Sequence, residues 1–529
     1  MPESFRALFF YCDRITGTVM EKSMNIRSAL VGVSRFLNGY KLELVAFICG
    51  ASVMVLELLG SRLVAPYIGT TIYVWAALIG VILGSMSLGY WFGGRVSDRS
   101  SDPKYLGLAV ASAACWVALI VILNIFLGDV MGYLLFDIRI NAVIAALVLF
   151  SPPAFLLGMV SPYVVRLKIR NVEASGRTVG DLYAISTVGS IVGTFVAGFF
   201  LILYFDLNSI LLGLSAVLFL TSLWISRETS KITLMIFVIV WIGALSSSVG
   251  IVRRESDRGI TVFNTLYESV RVIDLVFEGR PVRYLQTDPF GLQSGRYLDG
   301  DDLLFEYTKY YRLAGCFNPS LSRALMIGGA GYSYPRDYLK YFPEAVMDVV
   351  ELDPGITEIA GKFFGLKDDP RLSIIHEDGR VFLEKSDREY DVIMIDAFRA
   401  LSAPFQLTTR EAVSTVKDRL SGDGVVMVNI ISSGRPGDRK FMESEFATYR
   451  SVFPSVYLLP VGGWKDDGSV QNVMLVAVKD ASKEFPKTED TELSSYLEHA
   501  VSELPGSEKA PIFTDQFAPG DLYAASSVY

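Results

Sequence analysis

Three acidic residues of the C-terminal half stand where apolar, strand-like segments end. Glu351 and Asp396 directly follow such segments, and Asp378 comes shortly after a third one. The carboxyl ends of parallel strands meet at one edge of a sheet, where such sheets bind ligands. Each acid taken alone could instead serve as a helix N-cap. Because all three occupy the same kind of position, we expect their carboxylates to line a common binding site.

A glycine-rich turn precedes the three acids. The strand-like residues 324–327 run into this turn, which consists of Gly328, Gly329, Ala330 and Gly331. Glu351 follows the turn by about 20 residues, as the acid does in dinucleotide and adenosyl sites. Glycines let a ligand approach the backbone, and the acid at the end of the second strand binds both ribose hydroxyls. The pattern therefore predicts nucleoside binding.

The elements that must position these residues form an alternation of strands and short helices. Strands are predicted at 324–327, 346–350, 372–375 and 391–395, with a short helix at 335–341. This order is typical of a Rossmann-like parallel sheet of the methyltransferase type, which we predict over residues 303–529. Residues 255–302 contain short strands separated by Gly and Asp, which predicts a small domain of β-hairpins.

Composition divides the 529-residue chain into two halves. Residues 42–250 contain long uncharged stretches, whereas the residues after Arg253 are rich in charged side chains. The net charge of −8 argues against nucleic acid as a partner, because phosphate binding needs a basic surface. The chain has four cysteines without paired spacing and two histidines, so we expect neither a disulfide framework nor a metal site.

The first half is predicted to be an all-α transmembrane bundle embedded in a lipid bilayer. Residues 1–41 lack the apolar core of a signal peptide, and we expect them to be a cytoplasmic segment. Seven apolar segments within 42–250 are long enough to cross a bilayer as helices. These segments are 42–59, 73–93, 106–127, 142–160, 183–204, 210–225 and 233–249.

Small and ionisable residues stand out inside these segments. Gly189, Gly193 and Gly198 lie on one segment, where small residues allow close helix packing. Glu57 lies within the first segment, with Arg62 nearby. An ionisable side chain at such a position marks a functional site, or it forms an internal pair with the arginine that fixes helix packing.

The distribution of Lys and Arg and the location of the nucleotide substrate predict opposite orientations of the chain in the membrane. Lys and Arg cluster before the first segment and after the second, fourth and sixth, which places those ends in the cytoplasm. Seven segments would then put the soluble half outside. Arg253 and Arg254 favour the inside, and so does the use of a cytosolic nucleotide. We expect a multi-pass protein of the inner membrane with its soluble half in the cytoplasm.

The soluble half resembles the spermidine synthase family over residues 267–477. The most specific segments are 349–354, 368–372, 377–380 and 390–396. Members of this family that carry membrane helices are also similar to the first 250 residues. The resemblance implies an aminopropyl transfer from S-adenosylmethionine or its decarboxylated form as substrate, with release of methylthioadenosine. Dimers are common in the family, so a homodimer is one option, and the sequence leaves the oligomeric state open.

The resemblance also implies roles for single residues. Glu351 would hold the ribose, and Asp378, followed by Gly379, would accept a hydrogen bond from the adenine amino group. Gln293 would lie in a loop beside the site, and Glu268 takes the place of a glutamine near the sulfonium. Further matching positions are Tyr307 in the aminopropyl pocket, Asp396 at the start of a gatekeeping loop, and Asp515 in the segment 514–519.

Two positions depart from the family pattern. The glycine-rich turn of polyamine-forming members has an aspartate that holds the aminopropyl ammonium, and Gly331 stands there. A second aspartate of the gatekeeping loop, which helps to deprotonate the attacking diamine, is replaced by Arg399. Arg399 would repel a polyammonium acceptor and could pair with a carboxylate.

These departures shift the expected chemistry toward S-adenosylmethionine itself. An amine has a pKa of about 10, so a carboxylate or tyrosine must take its proton before it attacks. Asp396 and Tyr307 are the candidates. The nucleophile would be an external amine or the substrate's own α-amino group, which would close a small ring. Three alternatives remain open: an ordinary synthase making spermidine from putrescine, a membrane-bound methyltransferase, and a nucleoside-sensing transporter without chemistry.

Overall fold

The N-terminal half of the protein is a bundle of long apolar helices. The computed structural model of the chain describes residues 39–68, 72–131, 138–169, 175–226, 230–287, 291–397, 404–465, 467–520 and 522–524. The helices of the first half are α1 Lys41–Ile68, α2 Ile72–Arg99, α3 Pro103–Met131, α4 Ile138–Gly158, α5 Val160–Lys168, α6 Ser175–Val196, α7 Leu207–Ile225 and α8 Lys231–Asp257. A π turn, Ala197–Leu201, and a last helical turn, Ile202–Tyr204, extend α6.

Seven described segments are long and apolar enough to cross a membrane. They coincide with the seven predicted segments, with α4 and α5 together forming one of them. Close approach of α1 and α6 depends on glycine: a Cβ at Gly189 would lie 2.2 Å from the carbonyl oxygen of Phe47, and one at Gly193 would lie 2.5 Å from that of Ala51. Gly198, by contrast, has open space around it.

A four-stranded antiparallel sheet follows α8. Its strands β1 Ile260–Asn264, β2 Ser269–Phe277, β3 Arg280–Gln286 and β4 Ser294–Tyr297 lie in sequence order. Each strand pairs with the next in an antiparallel register. The predicted domain of β-hairpins is thereby confirmed.

The larger sheet has seven strands in the order β10-β11-β9-β8-β5-β6-β7. Its strands are β5 Arg323–Ile327, β6 Val346–Val350, β7 Leu372–Ile375, β8 Tyr390–Ile395, β9 Leu420–Ser433, β10 Ser455–Pro460 and β11 Val470–Val478. The strands from β7 to β9 in this order are parallel, and β11 and β10 are antiparallel to their neighbours. The fold is of the Rossmann-like methyltransferase type, as the sequence predicts.

Short helices cover both faces of this sheet. They are α9 Glu306–Tyr310, α10 Ala314–Phe317, α11 Ser333–Tyr341, α12 Pro354–Ile359, α13 Gly379–Lys385, α14 Phe405–Thr408, α15 Arg410–Asp418, α16 Lys440–Arg450 and α17 Thr491–Leu497. Alternate strand residues enter two different apolar clusters: Met326 and Met394 face one, Leu325 and Ile393 the other. Burial on both faces explains why these strands are mainly apolar.

The two halves meet between α1 and the β1–β2 turn. The Arg62 guanidinium donates to the carbonyl oxygen of Thr265 at 3.1 Å and to that of Leu266. Glu57 makes no ion pair with Arg62. The suggested internal pair is therefore replaced by a contact between the first apolar helix and the soluble half.

Candidate active site

Glu351 and Asp396 flank the start of the glycine-rich turn. Strand β5 lies between β6 and β8, with Ile327 opposite both Val350 and Ile395. Each acid is the first residue after its strand, so the two carboxylates emerge on either side of Gly328. Gly328 has a φ of +96°, and a Cβ there would lie 2.4 Å from the carbonyl oxygen of Asp396. Only glycine fits this junction.

The carboxylate of Glu351 is turned back onto the glycine-rich turn. Its Oε2 accepts from the N–H of Gly329 at 2.9 Å and of Ala330 at 3.2 Å, and Oε1 accepts from the N–H of Asp353 at 3.0 Å. A carboxylate has about four acceptor positions. Backbone N–H groups occupy three of them, so one acceptor position remains for a ribose hydroxyl. To bind both ribose hydroxyls, Glu351 must break one of its hydrogen bonds to the backbone.

Asp378 serves as the N-cap of α13. Its Oδ1 accepts from the N–H groups of Arg380 at 2.9 Å and Val381 at 3.1 Å. Its Oδ2 lies 3.5 Å from Nε2 of Gln406. The structural role considered from sequence is therefore realised, while the second oxygen still faces the cavity described below.

Asp396 is the centre of a polar network that is half-buried. Its Oδ1 accepts from Nδ2 of Asn429 at 2.9 Å, and its Oδ2 accepts from the hydroxyl of Tyr307 at 3.2 Å. Asn472 in turn donates to Oδ1 of Asn429 at 2.9 Å. Burial raises the pKa of Asp396 to about 6, although the donors Asn429 and Tyr307 oppose the shift.

Tyr307 behaves as a donor in this network. Burial, and then the neighbouring carboxylate of Asp396, raises the pKa of Tyr307 well above its usual value. A phenol that keeps its proton cannot take one from an amine. Of the two candidates for the proton acceptor, the geometry therefore favours Asp396, with Tyr307 orienting it.

Aromatic side chains continue from Tyr307. Its ring lies 6.0 Å from that of Phe305 and 6.5 Å from that of Tyr311, and Tyr311 lies 4.9 Å from Tyr334. The buried hydroxyls of Tyr311 and Tyr334 have no hydrogen-bond partner among the described residues. The side of the network that carries Tyr307 is thus bordered by aromatic rings.

A cavity of about 240 Å³ joins these groups. Most of the predicted nucleoside-binding residues line it, and their lining members are Glu268, Gln293, Gly328, Glu351, Asp378, Gly379 and Asp396. Leu285, Ile327, Val350 and Leu407 supply apolar walls. One described cavity thus brings together side chains from both sheets.

Other predicted residues lie elsewhere. Gly331 is behind the turn, where a Cβ would approach Oγ of Ser294 to 2.5 Å, so β4 occupies the space of a side chain. Asp515 does not line the cavity; its carboxylate accepts from Thr409 Oγ1 at 2.6 Å and lies 3.3 Å from Arg380 Nη2. Arg399 lies outside the described residues.

Sequence reasoning missed Asn429 and Asn472. Asn429 lies on β9 and Asn472 on β11, and these two strands are adjacent in the sheet. A signal existed: Asn429 interrupts the apolar run from Val425 to Ile431, and buried amides in such runs need a polar partner. The sequence does not identify that partner, Asp396, which directly follows β8.

Several known proteins are similar to this chain. Residues 307–458 match the spermine/spermidine synthase domain. A polyamine aminopropyltransferase of Vibrio vulnificus is 29% identical over 274 residues, which cover 49% of this chain and 89% of that protein. Polyamine aminopropyltransferase 1 of Streptomyces coelicolor is 25% identical over 431 residues, 76% of each chain, and so its similarity extends beyond the soluble half. Among solved structures, a probable spermidine synthase from Corynebacterium glutamicum has 20% identity and a TM-score of 0.42, covering 49% of this chain and 97% of that one.

Proposed function

We propose that this chain, whose C-terminal region is a spermine/spermidine synthase domain, is a membrane-bound transferase that acts on S-adenosylmethionine or its decarboxylated form. It displaces the amine-bearing arm of that substrate and releases methylthioadenosine. The relatives named polyamine aminopropyltransferase support this class of reaction. The residue assignments below rest on the geometry of the cavity.

The observation that carries the proposal is the environment of Asp396. A carboxyl group with a pKa of about 6 is largely ionised at neutral pH and still basic enough to take a proton. Asn429 and Tyr307 hold both of its oxygens, and they fix it at the edge of the cavity that contains Glu351 and Asp378. This arrangement supports Asp396 as general base beside a bound nucleoside.

The remaining residues have binding roles in the proposal. Glu351 binds the ribose, Asp378 accepts from the adenine amino group through Oδ2, which Gln406 contacts at 3.5 Å, and Gly328, Gly329 and Gly379 let the ligand approach the backbone. Gln293 and Glu268 lie toward the sulfonium, where the Glu268 carboxylate would stabilise positive charge. Roles for Arg399 and Asp515 at the substrate rest on the resemblance alone, since Arg399 lies outside the described residues and Asp515 contacts Thr409 and Arg380.

The displacement itself balances without an added reagent. The lone pair of an amine attacks the carbon next to the sulfonium, the new C–N bond forms as the C–S bond breaks, and its electron pair goes to sulfur. Methylthioadenosine leaves as a neutral molecule, and the proton lost by the nitrogen passes to Asp396. Orientation of the two reacting atoms supplies most of the acceleration.

The nucleophile we propose is the substrate's own α-amino group, whose attack closes a small ring. Gly331 stands where polyamine-forming members have an aspartate that binds the substrate's ammonium group. Ser294 fills the space that a side chain at this position would need. No carboxylate at position 331 holds the substrate's own amine as an ammonium, so that amine can turn back toward the carbon next to the sulfonium, and an internal nucleophile needs no separate acceptor site.

Product identification tests the proposal. The purified full-length chain is incubated with each nucleotide, with and without putrescine, and the products are identified by mass spectrometry. We expect methylthioadenosine and a cyclic amino acid from S-adenosylmethionine alone, and neither from the Glu351→Ala chain. If spermidine forms, and only with the decarboxylated nucleotide and putrescine, the proposed cyclisation is wrong but the aminopropyl transfer stands. If S-adenosylhomocysteine is the sole product, methylthioadenosine is not the leaving group and the proposed transfer is wrong.

We also place the chain in the inner membrane, with the soluble half in the cytoplasm. The seven apolar helices support membrane insertion. The cytoplasmic side follows from the supply of the nucleoside substrate, which is made there.

A further inference from the structure

The turn between β1 and β2 is closed by its own hydrogen bonds. The N–H and the hydroxyl of Thr265 both donate to the carbonyl oxygen of Glu268 at 2.9 Å, and the N–H of Glu268 donates back to Thr265 Oγ1 at 3.1 Å. Residues 265–268 therefore form one hydrogen-bonded unit. We call this unit the 265–268 turn.

Two sides of the 265–268 turn face the nucleoside site. Glu268 lines the cavity together with Gln293 and Glu351. Thr265, which is buried, packs on the first turn of α12, directly after the loop 351–353 that carries Glu351, because a Cβ at Gly355 would lie 2.6 Å from Thr265 Cγ2. In that loop the N–H of Asp353 donates to Glu351 Oε1 at 3.0 Å. A displacement of the turn would thus reach Glu268 directly and Glu351 through its supporting loop.

The third side of the turn is held by the apolar helix α1. The guanidinium of Arg62 donates from two nitrogens to two consecutive carbonyl oxygens, those of Thr265 and Leu266. Arginine suits this contact because its planar fork donates along two directions at once. The bond is charge-assisted, and such bonds are stronger than neutral ones.

We infer that Arg62 is a positioning residue of the nucleoside site, supplied by the first membrane helix. It holds the 265–268 turn in the place where Glu268 completes the cavity wall and Thr265 supports the Glu351 loop. The membrane half is thereby a structural part of the site rather than an anchor alone. This inference rests on the proposed function for its kinetic consequence, while the positioning itself is independent of the reaction.

Three full-length variants test the inference. Arg62→Gln removes the charged fork, and Arg62→Lys keeps one charged donor. Lys41→Gln is the matched control, because Lys41 also donates from α1 to a backbone carbonyl, that of Ile225 at 3.0 Å, but far from the site. Each variant is compared for hydrogen exchange at residues 265–268, for nucleoside affinity, and for the kcat and KM of methylthioadenosine release.

We expect Arg62→Gln to speed exchange in the 265–268 turn and to weaken nucleoside binding by about tenfold, as the loss of charge-assisted hydrogen bonds implies. Its KM should rise more than its kcat falls. Arg62→Lys should recover part of the affinity, and Lys41→Gln should match the wild type.

Unchanged exchange and affinity in Arg62→Gln would overturn the inference, as would equal changes in Lys41→Gln. If the wild type binds nucleoside without releasing methylthioadenosine, the proposed function fails and the exchange and affinity measurements still decide the role of Arg62. If it binds no nucleoside at all, both proposals fail.

Discussion

At the scale of single residues, the pKa of Asp396 ties burial to reactivity. Burial raises this pKa to about 6, and a base must be ionised to accept a proton. We expect kcat/KM to fall as the pH drops through about 6, because the protonated carboxyl can no longer take the amine proton. Asp396→Asn should abolish turnover at every pH. A pH profile of methylthioadenosine release, without an acidic limb near that value, would remove Asp396 from this role.

We expect Asn429 to affect the pH at which kcat/KM falls on the acidic side of the profile. Its N–H donates to Asp396 Oδ1 and so favours the ionised form, which lowers the pKa. Asn429→Leu should therefore move the acidic limb of the kcat/KM profile to higher pH. Ser421→Ala is the control, since Ser421 donates at 3.0 Å to Asp391 at the other end of β8. An unshifted limb in Asn429→Leu, or an equal shift in the control, would contradict the assignment.

The structure has no room at Gly331 for the aspartate that the family pattern has at this position. A side chain at this position would meet Oγ of Ser294 at 2.5 Å and Cδ1 of Phe364 at 3.1 Å. We expect Gly331→Asp to lower the free energy of unfolding by about 1–3 kcal/mol, as overpacking does. Gly361→Asp, at a glycine with open space around it, should cost less. Thermal unfolding of the two variants compares them, and equal losses would mean that Ser294 does not exclude the side chain.

At the scale of elements, α1 and α6 pack through backbone contact. Gly189 has the carbonyl oxygen of Phe47 2.2 Å from its potential Cβ, whereas Gly180 on the same helix has no neighbour within 4 Å. We expect Gly189→Ala to lower the unfolding temperature of the detergent-solubilised chain, because a methyl group would push the helices apart. Gly180→Ala should leave it unchanged or raise it, since alanine favours helix. Equal unfolding temperatures would show that the helices adjust without cost.

The elements near the site were predictable where their signal is local. Strands β6 and β7 have the predicted bounds, because their apolar runs end in turns or acids that close them. The hairpins β1 to β4 and the seven apolar helices are likewise periodic over short stretches. The pairing of β9 beside β8 joins residues far apart in sequence, and so Asn429 and its contact with Asp396 could not be predicted. The contact between Arg62 and the 265–268 turn is hidden for the same reason.

At the scale of the whole molecule, one side of the bundle carries the soluble half. The last turns of α1 and the end of α8 both lie on that side, since Arg62 reaches the 265–268 turn and α8 runs into β1. If each of the seven described apolar segments crosses a membrane, the start of α1 lies on the opposite side. The basic residues at the opposite helix ends include Arg99, Lys104, Lys168 and Lys231. The structure therefore sharpens the conflict seen in the sequence between charge bias and substrate supply.

Topology reporters decide this conflict, and with it part of the proposed function. A nucleoside-consuming site needs the cytoplasm, so we expect a green fluorescent protein fused after the C-terminus to fluoresce and an alkaline phosphatase at the same place to stay inactive. The same reporters fused after Asp102, which lies between α2 and α3 on the opposite side, should give the reverse pattern. Charge bias over short loops predicts the contrary for both positions. Active phosphatase at the C-terminus would show that the positive residues face the cytoplasm and that the soluble half lies outside it. The site would then have no access to the cytosolic nucleotide, and the proposed reaction would be wrong.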